Sequence, residues 1–351
     1  MVLFLSYFYK FFNNQNNLNV SNEIENKKND DCEEEKEIKL NYYSSKNKIS
    51  IKSIEKLVFE GGGVKGIAFL GSLEVIKDQL PKIKSFAGTS VGSISASLLA
   101  VGYGLDDLKD IIWNTDFKKF FDHEYDIPVD VYSLIEKYGI CSGNNFNKWI
   151  SNLIKNKTKN DSYTFGMLWE EKKVDLVLTT TNVSYLNPLY ISYRNYPDMP
   201  IKDGVRMSMS IPMIFTPVKF EGNYYADGGI IDNYPIHVFD GKYPGDLDAI
   251  NDKVPPNKNT LGFRLISDYD DTSTSESSKK ILINNVQSFG MAVFQGSLKS
   301  TSRQYNGIRN WDRSIQIFTD DISAINFGIS EEDKERLYKN GFNAAVGFFS
   351  K

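Results

Sequence analysis

The sequence predicts an α/β fold in which helices pack in layers on parallel strands. Two strand–helix pairs carry this prediction. An apolar run at 54–60 precedes helically spaced apolar residues at 67–80, and a second run at 83–89 precedes a helix at 91–104 that ends at a glycine. The connecting loops are short, and strands alternating with helices in this way favour parallel pairing.

The remaining elements follow from the same periodicities. A hairpin is indicated by "VKF" and "YYA" around "EGN" within 211–229, and Ser330 with Asp333 resembles a capping box. The polar run at 268–278 is typical of a loop. Further strands are predicted at 173–183, 187–194, 260–266 and 314–320, and further helices at 279–306 and 330–349.

The composition divides the chain into a tail and one domain. Residues 13–50 are rich in Asn, Lys, Glu and Ser, so they cannot bury enough apolar surface to offset the entropy lost on ordering. We therefore expect a mostly disordered tail at 1–50 and a single domain at 51–351. The domain's motifs concentrate in 54–240, and its C-terminal strands and helices occupy 260–349.

The first twelve residues, "MVLFLSYFYKFF", are apolar and aromatic. They are too short to span a bilayer. They also fit a secretory signal poorly, because no basic stretch precedes them and no small-residue cleavage site follows them. Two interpretations stay open: contact with a membrane interface, or a terminal segment that packs on the domain or moves freely. We expect a cytoplasmic or peripheral membrane protein.

Charge and cysteine content exclude several classes of protein. The 351 residues include 41 Lys and Arg against 45 Asp and Glu, for a net charge of −4, so nothing global predicts nucleic-acid binding. The two cysteines, Cys32 and Cys141, are far apart and predict neither a disulfide framework nor a metal site. No apolar run is long enough for a transmembrane helix.

Ser90 is a candidate nucleophile. It lies between Gly88 and Gly92 in a G-x-S-x-G pattern, at a predicted turn from a strand to a helix. Such a turn exposes the serine above the sheet edge, and the following helix brings its N-terminal amides close. The pattern alone is also compatible with a tight turn that has no chemical role.

The stretch "GGGVKG" (61–66) is a candidate anion-binding loop. Three glycines between a strand and a helix gather backbone N–H groups, which suit a nucleotide phosphate or the oxyanion of an acyl transfer. A Walker A loop would need lysine where Ile67 stands. The spacing of Gly61, Gly63 and Gly66 matches a dinucleotide pattern, but no acidic residue occurs at 80–86 to bind a ribose. The oxyanion interpretation is therefore favoured.

A base for Ser90 must come from few candidates, since the chain has two histidines. His237 follows in the order expected of a triad, but it lies in an apolar run typical of a structural residue, and His123 lies among carboxylates. Asp227 ends a β-type run and precedes Gly228 and Gly229, so its carboxylate can project from a strand end and accept a proton. A turn aspartate that caps its own backbone remains the alternative.

Four ordered motifs resemble those of the patatin-like phospholipase family, and weaker matches extend the resemblance over about 54–349. The resemblance implies a three-layer α/β/α fold with a mostly parallel central sheet in a single domain. It also implies hydrolysis of lipid acyl esters by a Ser–Asp dyad without histidine, metal or cofactor. The motifs are "LVFEGGGVKGIAFLGSL" (57–73), "FAGTSVGSISASLLA" (85–99), "RMSMSIPMIFTPV" (206–218) and "YYADGGIIDNYPI" (224–236).

The resemblance assigns roles to individual residues. Ser90 matches the nucleophile and Asp227 the base, while Lys65 stands at a position that is Arg or Lys in relatives. The matches to the oxyanion loop are Gly61, Gly62, Gly63 and Gly66, and the residues flanking the motifs are Lys65, Gly88, Gly92, Gly228 and Gly229. The expected partner is a lipid at a membrane or micelle surface, with residues 1–12 as a further membrane contact.

Other functions remain open on the sequence alone. A neutral glyceride lipase or an acyltransferase would use the same dyad, whereas a lipid-binding protein would use the fold without catalysis. A nucleotide-binding α/β protein is disfavoured by the missing lysine and acid. The aromatic segment at 111–121, with Trp113, Phe117, Phe120 and Phe121, is a candidate cover for a lipid channel or an ordinary buried helix.

Overall fold

The computed structural model describes residues 49–122, 133–251, 253–266, 283–284, 286–304 and 308–350. The apolar N-terminus, Cys32, His123 and the polar run at 268–278 lie outside the described residues. No helix in the described ranges is long and apolar enough to cross a membrane.

Eight strands form a mixed sheet, and two more form a separate small sheet. The main order is β10-β9-β1-β2-β4-β8-β7, with β5 beside β4, and β3 pairs with β6. The five strands from β10 to β4 in this order are parallel, whereas β5, β8 and β7 pair antiparallel. The strands are β1 Lys56–Phe59, β2 Ser85–Thr89, β3 Gly139–Cys141, β4 Asp175–Asn182, β5 Asn187–Ile191, β6 Met213–Phe215, β7 Val218–Phe220, β8 Asn223–Asp227, β9 Thr260–Ile266 and β10 Ser314–Phe318.

The helices include several that the sequence patterns did not predict, α4 to α6 among them. The first helix was expected at 67–80 but ends at Val75, where Ile76 leaves helical geometry. The last helix begins after Ser330, whose Oγ accepts the N–H of Asp333 at 3.1 Å. The helices are α1 Ile67–Val75, α2 Val91–Val101, α3 Leu105–Asn114, α4 Asn144–Thr158, α5 Phe165–Lys172, α6 Ile201–Ser208, α7 Leu247–Ile250, α8 Val286–Gln304, α9 Ile308–Trp311 and α10 Glu331–Phe349.

The central strands are buried on both faces, as expected of parallel strands between helical layers. Leu57 and Phe59 of β1 face the larger apolar cluster, which includes the inner sides of α1, α2 and α10. Val58, between them, faces a smaller cluster with Tyr234 and Ile236. The predicted layered α/β fold with a mostly parallel sheet is therefore confirmed.

Strand β4 brings the ends of two distant segments together. β2 pairs with its first half, as far as Thr89 opposite Thr179, and β8 pairs with its second half, beginning with Asp227 opposite Thr180. Because β5 pairs with the same β4 residues, it must occupy the other edge, and β2 and β8 share one edge end to end. Ser90, which follows Thr89, therefore meets Asp227 at this junction.

Candidate active site

Ser90 lies at a strained turn between β2 and α2. Its φ of 54° and ψ of −126° fall in a region that side-chain-bearing residues rarely adopt. The turn is so tight that a Cβ on Gly88 would lie 2.2 Å from the carbonyl oxygen of Gly92. A Cβ on Gly92 would lie 2.3 Å from the carbonyl oxygen of Phe59. The two flanking glycines are therefore required by close backbone approach.

Hydrogen bonds hold the turn in this conformation. The N–H of Ser90 donates to Oγ of Ser208 at 2.9 Å, and that hydroxyl donates to the carbonyl of Thr179 at 2.7 Å. Oγ of Ser93 donates to the carbonyl of Ser90 at 2.5 Å. The backbone of Ser90 is thus tied to β4 and to its own helix, while its Oγ lies 3.6 Å from the sulfur of Met209.

Asp227 is fully buried at the end of β8. Its N–H donates to the carbonyl of Ser210 at 2.9 Å, and its Oδ1 accepts the N–H of Gly229 at 2.8 Å. Oδ2 has no hydrogen-bond partner among the described residues. Burial raises the pKa of Asp227 to about 7, against the opposing effects of the Ser90 side chain and the Gly229 N–H. The carboxylate that faces Ser90 therefore holds a proton more readily than an exposed one.

The glycine loop lies directly beside Ser90. A Cβ on Gly61 would lie 3.1 Å from the Cβ of Ser90. The N–H of Gly61 donates to the carbonyl of Asn233 at 3.0 Å, whereas within the described residues the amides of Gly62 and Gly63 have no protein acceptor. Gly63 has a φ of 57°, and a Cβ there would lie 1.9 Å from the carbonyl oxygen of Ala324. Among the described residues, two amides of the loop that adjoins the serine thus have no protein acceptor and can bind an anion.

Asn233 secures this loop, although sequence reasoning gave it no role. Its Nδ2 donates to the carbonyl of Gly61 at 3.1 Å and to Oε1 of the buried Glu60 at 3.3 Å. Oε2 of Glu60 accepts the N–H of Leu265 at 2.6 Å. The loop is therefore bound to the segment after Asp227 and to β9. The only sequence signal was the position of Asn233 inside the "YYADGGIIDNYPI" stretch.

Arg206 is a second residue that sequence reasoning missed, and it supports the Asp227 side. Its guanidinium is buried and donates to Oγ of Ser210 at 2.6 Å and to the carbonyls of Ser142 at 2.8 Å and Thr216 at 2.9 Å. Burial lowers the pKa of Arg206 to about 10. Because the carbonyl of Ser210 accepts the N–H of Asp227, Arg206 orders the residue that positions the carboxylate.

His237 lies in a different polar cluster. Its Nε2 is 3.2 Å from the hydroxyl of Tyr190 and 3.7 Å from Oδ2 of Asp232, and all three side chains are buried. The Tyr190 hydroxyl donates to Asp232 at 2.8 Å. The imidazole thus contacts a tyrosine and a carboxylate behind the site, an arrangement that stabilises the chain after Asp227.

A narrow apolar cavity of about 40 Å³ extends from the site. Met209, whose sulfur contacts Ser90, lines it together with Gly66 and Val91. Side chains farther along are Leu70, Ile112, Phe117 and Phe120. Of the other aromatic residues expected to cover a channel, Trp113 packs edge-on against Tyr338 and Phe121 against Phe327.

A glycine loop, a strained serine and a buried aspartate meet at this site. Comparison with known proteins identifies the family that has this combination. The family model for patatin-like phospholipases matches residues 57–240, which include all three features. The chain belongs to the patatin-like phospholipase family. Membership makes this patatin-like protein a lipid acyl hydrolase, and the predicted family and enzyme class are confirmed.

Individual proteins resemble this chain over different lengths. An uncharacterized protein of Acanthamoeba polyphaga mimivirus is 33% identical over 310 residues, which cover 86% of this chain and 95% of the relative. A probable lipid hydrolase of Invertebrate iridescent virus 6 is 31% identical over 195 residues, 53% of this chain and 63% of that protein. The crystal structure of VipD from Legionella pneumophila shares the fold, with a TM-score of 0.54 at 20% identity, over 85% of this chain and 67% of VipD.

Proposed function

We propose that this patatin-like protein hydrolyses acyl esters of phospholipids in two steps on Ser90 and Asp227. Asp227 accepts the proton of the Ser90 hydroxyl, and Oγ attacks the ester carbonyl to form an acyl-enzyme as the alcohol leaves with that proton. Asp227 then takes a proton from a water molecule as the water oxygen attacks the acyl carbon, and it returns that proton to Oγ as the bond between Oγ and the acyl carbon breaks, which releases the fatty acid and restores Ser90. The single observation that carries this proposal is the burial of Asp227 beside Ser90, which gives the carboxylate a pKa of about 7.

The oxyanion of each tetrahedral intermediate is stabilised by the amides of Gly62 and Gly63. These amides have no acceptor among the described residues, whereas the amide of Gly61 already donates to Asn233. Gly61 therefore supports the loop. Gly66 packs closely on Val91, since a Cβ on Gly66 would lie 2.5 Å from Cγ2 of Val91, and this contact holds the loop against α2. Loss of one such donor typically slows the reaction by about 10²–10³.

An acyl chain enters the apolar cavity beside Met209. The cavity of about 40 Å³ is far smaller than ordinary ligand pockets of about 300–1,000 Å³, so side chains must move to admit a chain. Methionine suits this position because its unbranched side chain changes rotamer easily. The side chains of Phe117 and Phe120 give the far end an apolar surface.

The dyad is tested with Ser90→Ala and Asp227→Asn, assayed on a panel of phospholipids, lysophospholipids and glycerides. Both variants are expected to lose at least about 10³-fold in kcat, because nucleophile and base act as a unit. Ser97→Ala is the matched control, since Ser97 is buried in the same helix and its Oγ has no hydrogen-bond partner among the residues that the structure describes. We expect Ser97→Ala to keep full activity.

Two results would contradict the proposal. Parent-like hydrolysis by both dyad variants would exclude the dyad. Loss of activity in a folded His237→Asn variant, with Asp227→Asn active, would establish a triad instead. A fluorophosphonate probe provides an independent readout, since it should label the parent and the control but not Ser90→Ala. Preference for triglycerides in the panel would identify a glyceride lipase.

A further inference from the structure

Asp232 is a buried acid that the proposed mechanism does not use. It lies five positions after Asp227, and its side chain is 2% exposed. A carboxylate is costly to bury unless hydrogen bonds replace those that it made with water. The contacts that hold Asp232 in this position lead to both members of the dyad.

The main chain of Asp232 binds the neighbours of both dyad residues. Its N–H donates at 2.9 Å to the carbonyl of Gly228, the residue directly after Asp227. Its carbonyl accepts the Oγ1–H of Thr89 at 3.1 Å, and Thr89 directly precedes Ser90. These two neighbours also touch each other, since a Cβ on Gly228 would lie 3.0 Å from Cγ2 of Thr89. One residue thus joins the end of β2 to the turn after β8, in addition to the pairing of both strands with β4.

The side chain of Asp232 is fixed by two further buried groups. The Tyr190 hydroxyl donates to Oδ2 of Asp232 at 2.8 Å. Nε2 of His237 lies 3.2 Å from that hydroxyl and 3.7 Å from Oδ2. Tyr190 stands opposite Thr179 of β4, which stands opposite Thr89, so these residues form one row across three strands. Asp232 therefore spans this row, with its carbonyl at Thr89 and its carboxylate at Tyr190.

We propose that Asp232 is a positioning residue that sets the distance between Ser90 and Asp227, with Tyr190 and His237 as its anchors. The inference rests on the proposed dyad, because it assigns no chemistry to Asp232 itself. A base must lie within hydrogen-bond reach of the proton that it accepts, and a misplacement of about 1 Å can slow a reaction by about 10²-fold. A buried polar cluster that only stabilises the fold is the competing explanation.

The contact with the residue before the nucleophile is tested with Thr89→Val, which replaces the hydroxyl by a methyl group. We expect kcat on a monomeric soluble ester to fall by about tenfold or more while KM stays within about twofold of the parent value, because the dyad is displaced and the apolar cavity is not. Thr89→Ser keeps the hydroxyl and should recover most of this loss. Thr260→Val is the matched control and should keep the parent kcat, since Thr260 is buried at the start of β9 and its Oγ1 has no hydrogen-bond partner among the described residues.

The anchors are tested with Tyr190→Phe, which removes the hydroxyl that binds Asp232. Its matched control is Tyr103→Phe, because the Tyr103 hydroxyl also makes one hydrogen bond, to the carbonyl of Leu153 at 2.7 Å, beyond the end of α2 that is remote from Ser90. Both variants should lose stability to thermal unfolding, but only Tyr190→Phe should lower kcat, by about fivefold or more.

Three results would overturn the inference while the proposed function stands: parent-like kcat in Thr89→Val, no recovery in Thr89→Ser, or an equal loss of kcat in Tyr190→Phe and Tyr103→Phe. Each would show that the cluster contributes to stability alone. Inactivity of the parent on the soluble ester would instead contradict the proposed function, and the inference with it.

Discussion

At the scale of the residue, the protonation of Asp227 is the central property of the site. A carboxylate normally ionises well below neutral pH, but burial raises the pKa of this one to about 7. Only the ionised form can accept a proton from Ser90. The same burial that makes the aspartate a stronger base therefore also limits the pH range in which it works.

The first prediction concerns the pH profile of the reaction. We expect kcat/KM on a monomeric soluble ester to fall as pH decreases through about 7, because the raised pKa of Asp227 leaves the carboxyl protonated at lower pH. The slope of log kcat/KM against pH should correspond to the uptake of one proton. A Ser97→Ala control should give the same profile, and a rate independent of pH across 7 would exclude Asp227 as the titrating base.

Asn233 and Arg206 show how single polar side chains support the site without facing the reacting atoms. Each is buried and each joins segments far apart in sequence: Asn233 ties the glycine loop to the chain after Asp227, and Arg206 ties Ser210 to Ser142 and Thr216. Removing such a side chain deprives these carbonyls of a donor, which typically costs about 1–3 kcal/mol for each carbonyl that is buried.

At the scale of the element, the turn between β2 and α2 stores backbone strain. The φ of 54° and ψ of −126° at Ser90 are maintained by a hydrogen bond to Ser208, by one from Ser93, and by the close backbone approach at Gly88 and Gly92. Such strained conformations typically cost about 1–3 kcal/mol and persist only where their surroundings over-determine them. The position of the buried Oγ in the site depends on this conformation.

The second prediction measures that strain. Both Ser90→Gly and Ser90→Ala remove the hydroxyl, but only glycine adopts this conformation without steric cost. We expect Ser90→Gly to have a free energy of unfolding about 1 kcal/mol higher than Ser90→Ala, measured by urea denaturation. The control pair at Ser97, inside α2, should show the opposite order by about 0.5–1 kcal/mol. If Ser90→Gly is the less stable of its pair, the turn is not strained.

At the scale of the whole molecule, the two ends of the described chain are joined through α1 and α10. A Cβ on Gly71 would lie 1.9 Å from the carbonyl oxygen of Tyr338, and a Cβ on Gly341 would lie 1.8 Å from that of Ala68. Oγ of Ser72 donates to the carbonyl of Gly341 at 2.7 Å. Since α1 follows the glycine loop directly, the C-terminal helix supports the loop's position.

The third prediction compares two glycines of α10. Gly341→Ala should destabilise the protein by about 2 kcal/mol and slow catalysis, because the added methyl group forces α10 away from α1 and disturbs the glycine loop. Gly347→Ala should raise the free energy of unfolding by about 0.4–1 kcal/mol, since no atom lies within 4 Å of its added Cβ. Thermal unfolding and ester hydrolysis measure both effects. Equal stability and equal activity of the two variants would contradict the close approach of α10 to α1.

The sequence predicted the elements that depend on local signals and missed those that depend on contacts between distant segments. Strands β1, β2 and β4 and the β7–β8 hairpin were predicted because alternation and turn residues are local signals. Helices α4 to α6 and the small β3–β6 sheet were not predicted, since tertiary packing stabilises such elements without a strong local pattern. The helix expected at 67–80 was too long by about a turn.

The sequence by itself determined the layered α/β fold, the family and the candidate residues, because strand and helix periods and glycine motifs are properties of short segments. Only the tertiary structure decided that β2 and β8 share one edge of β4, which brings Ser90 and Asp227 together across 137 positions of chain. It also decided the burial that raises the pKa of Asp227 and the bond that occupies the Gly61 amide. Pairing and burial arise between distant segments, so they have no local signature.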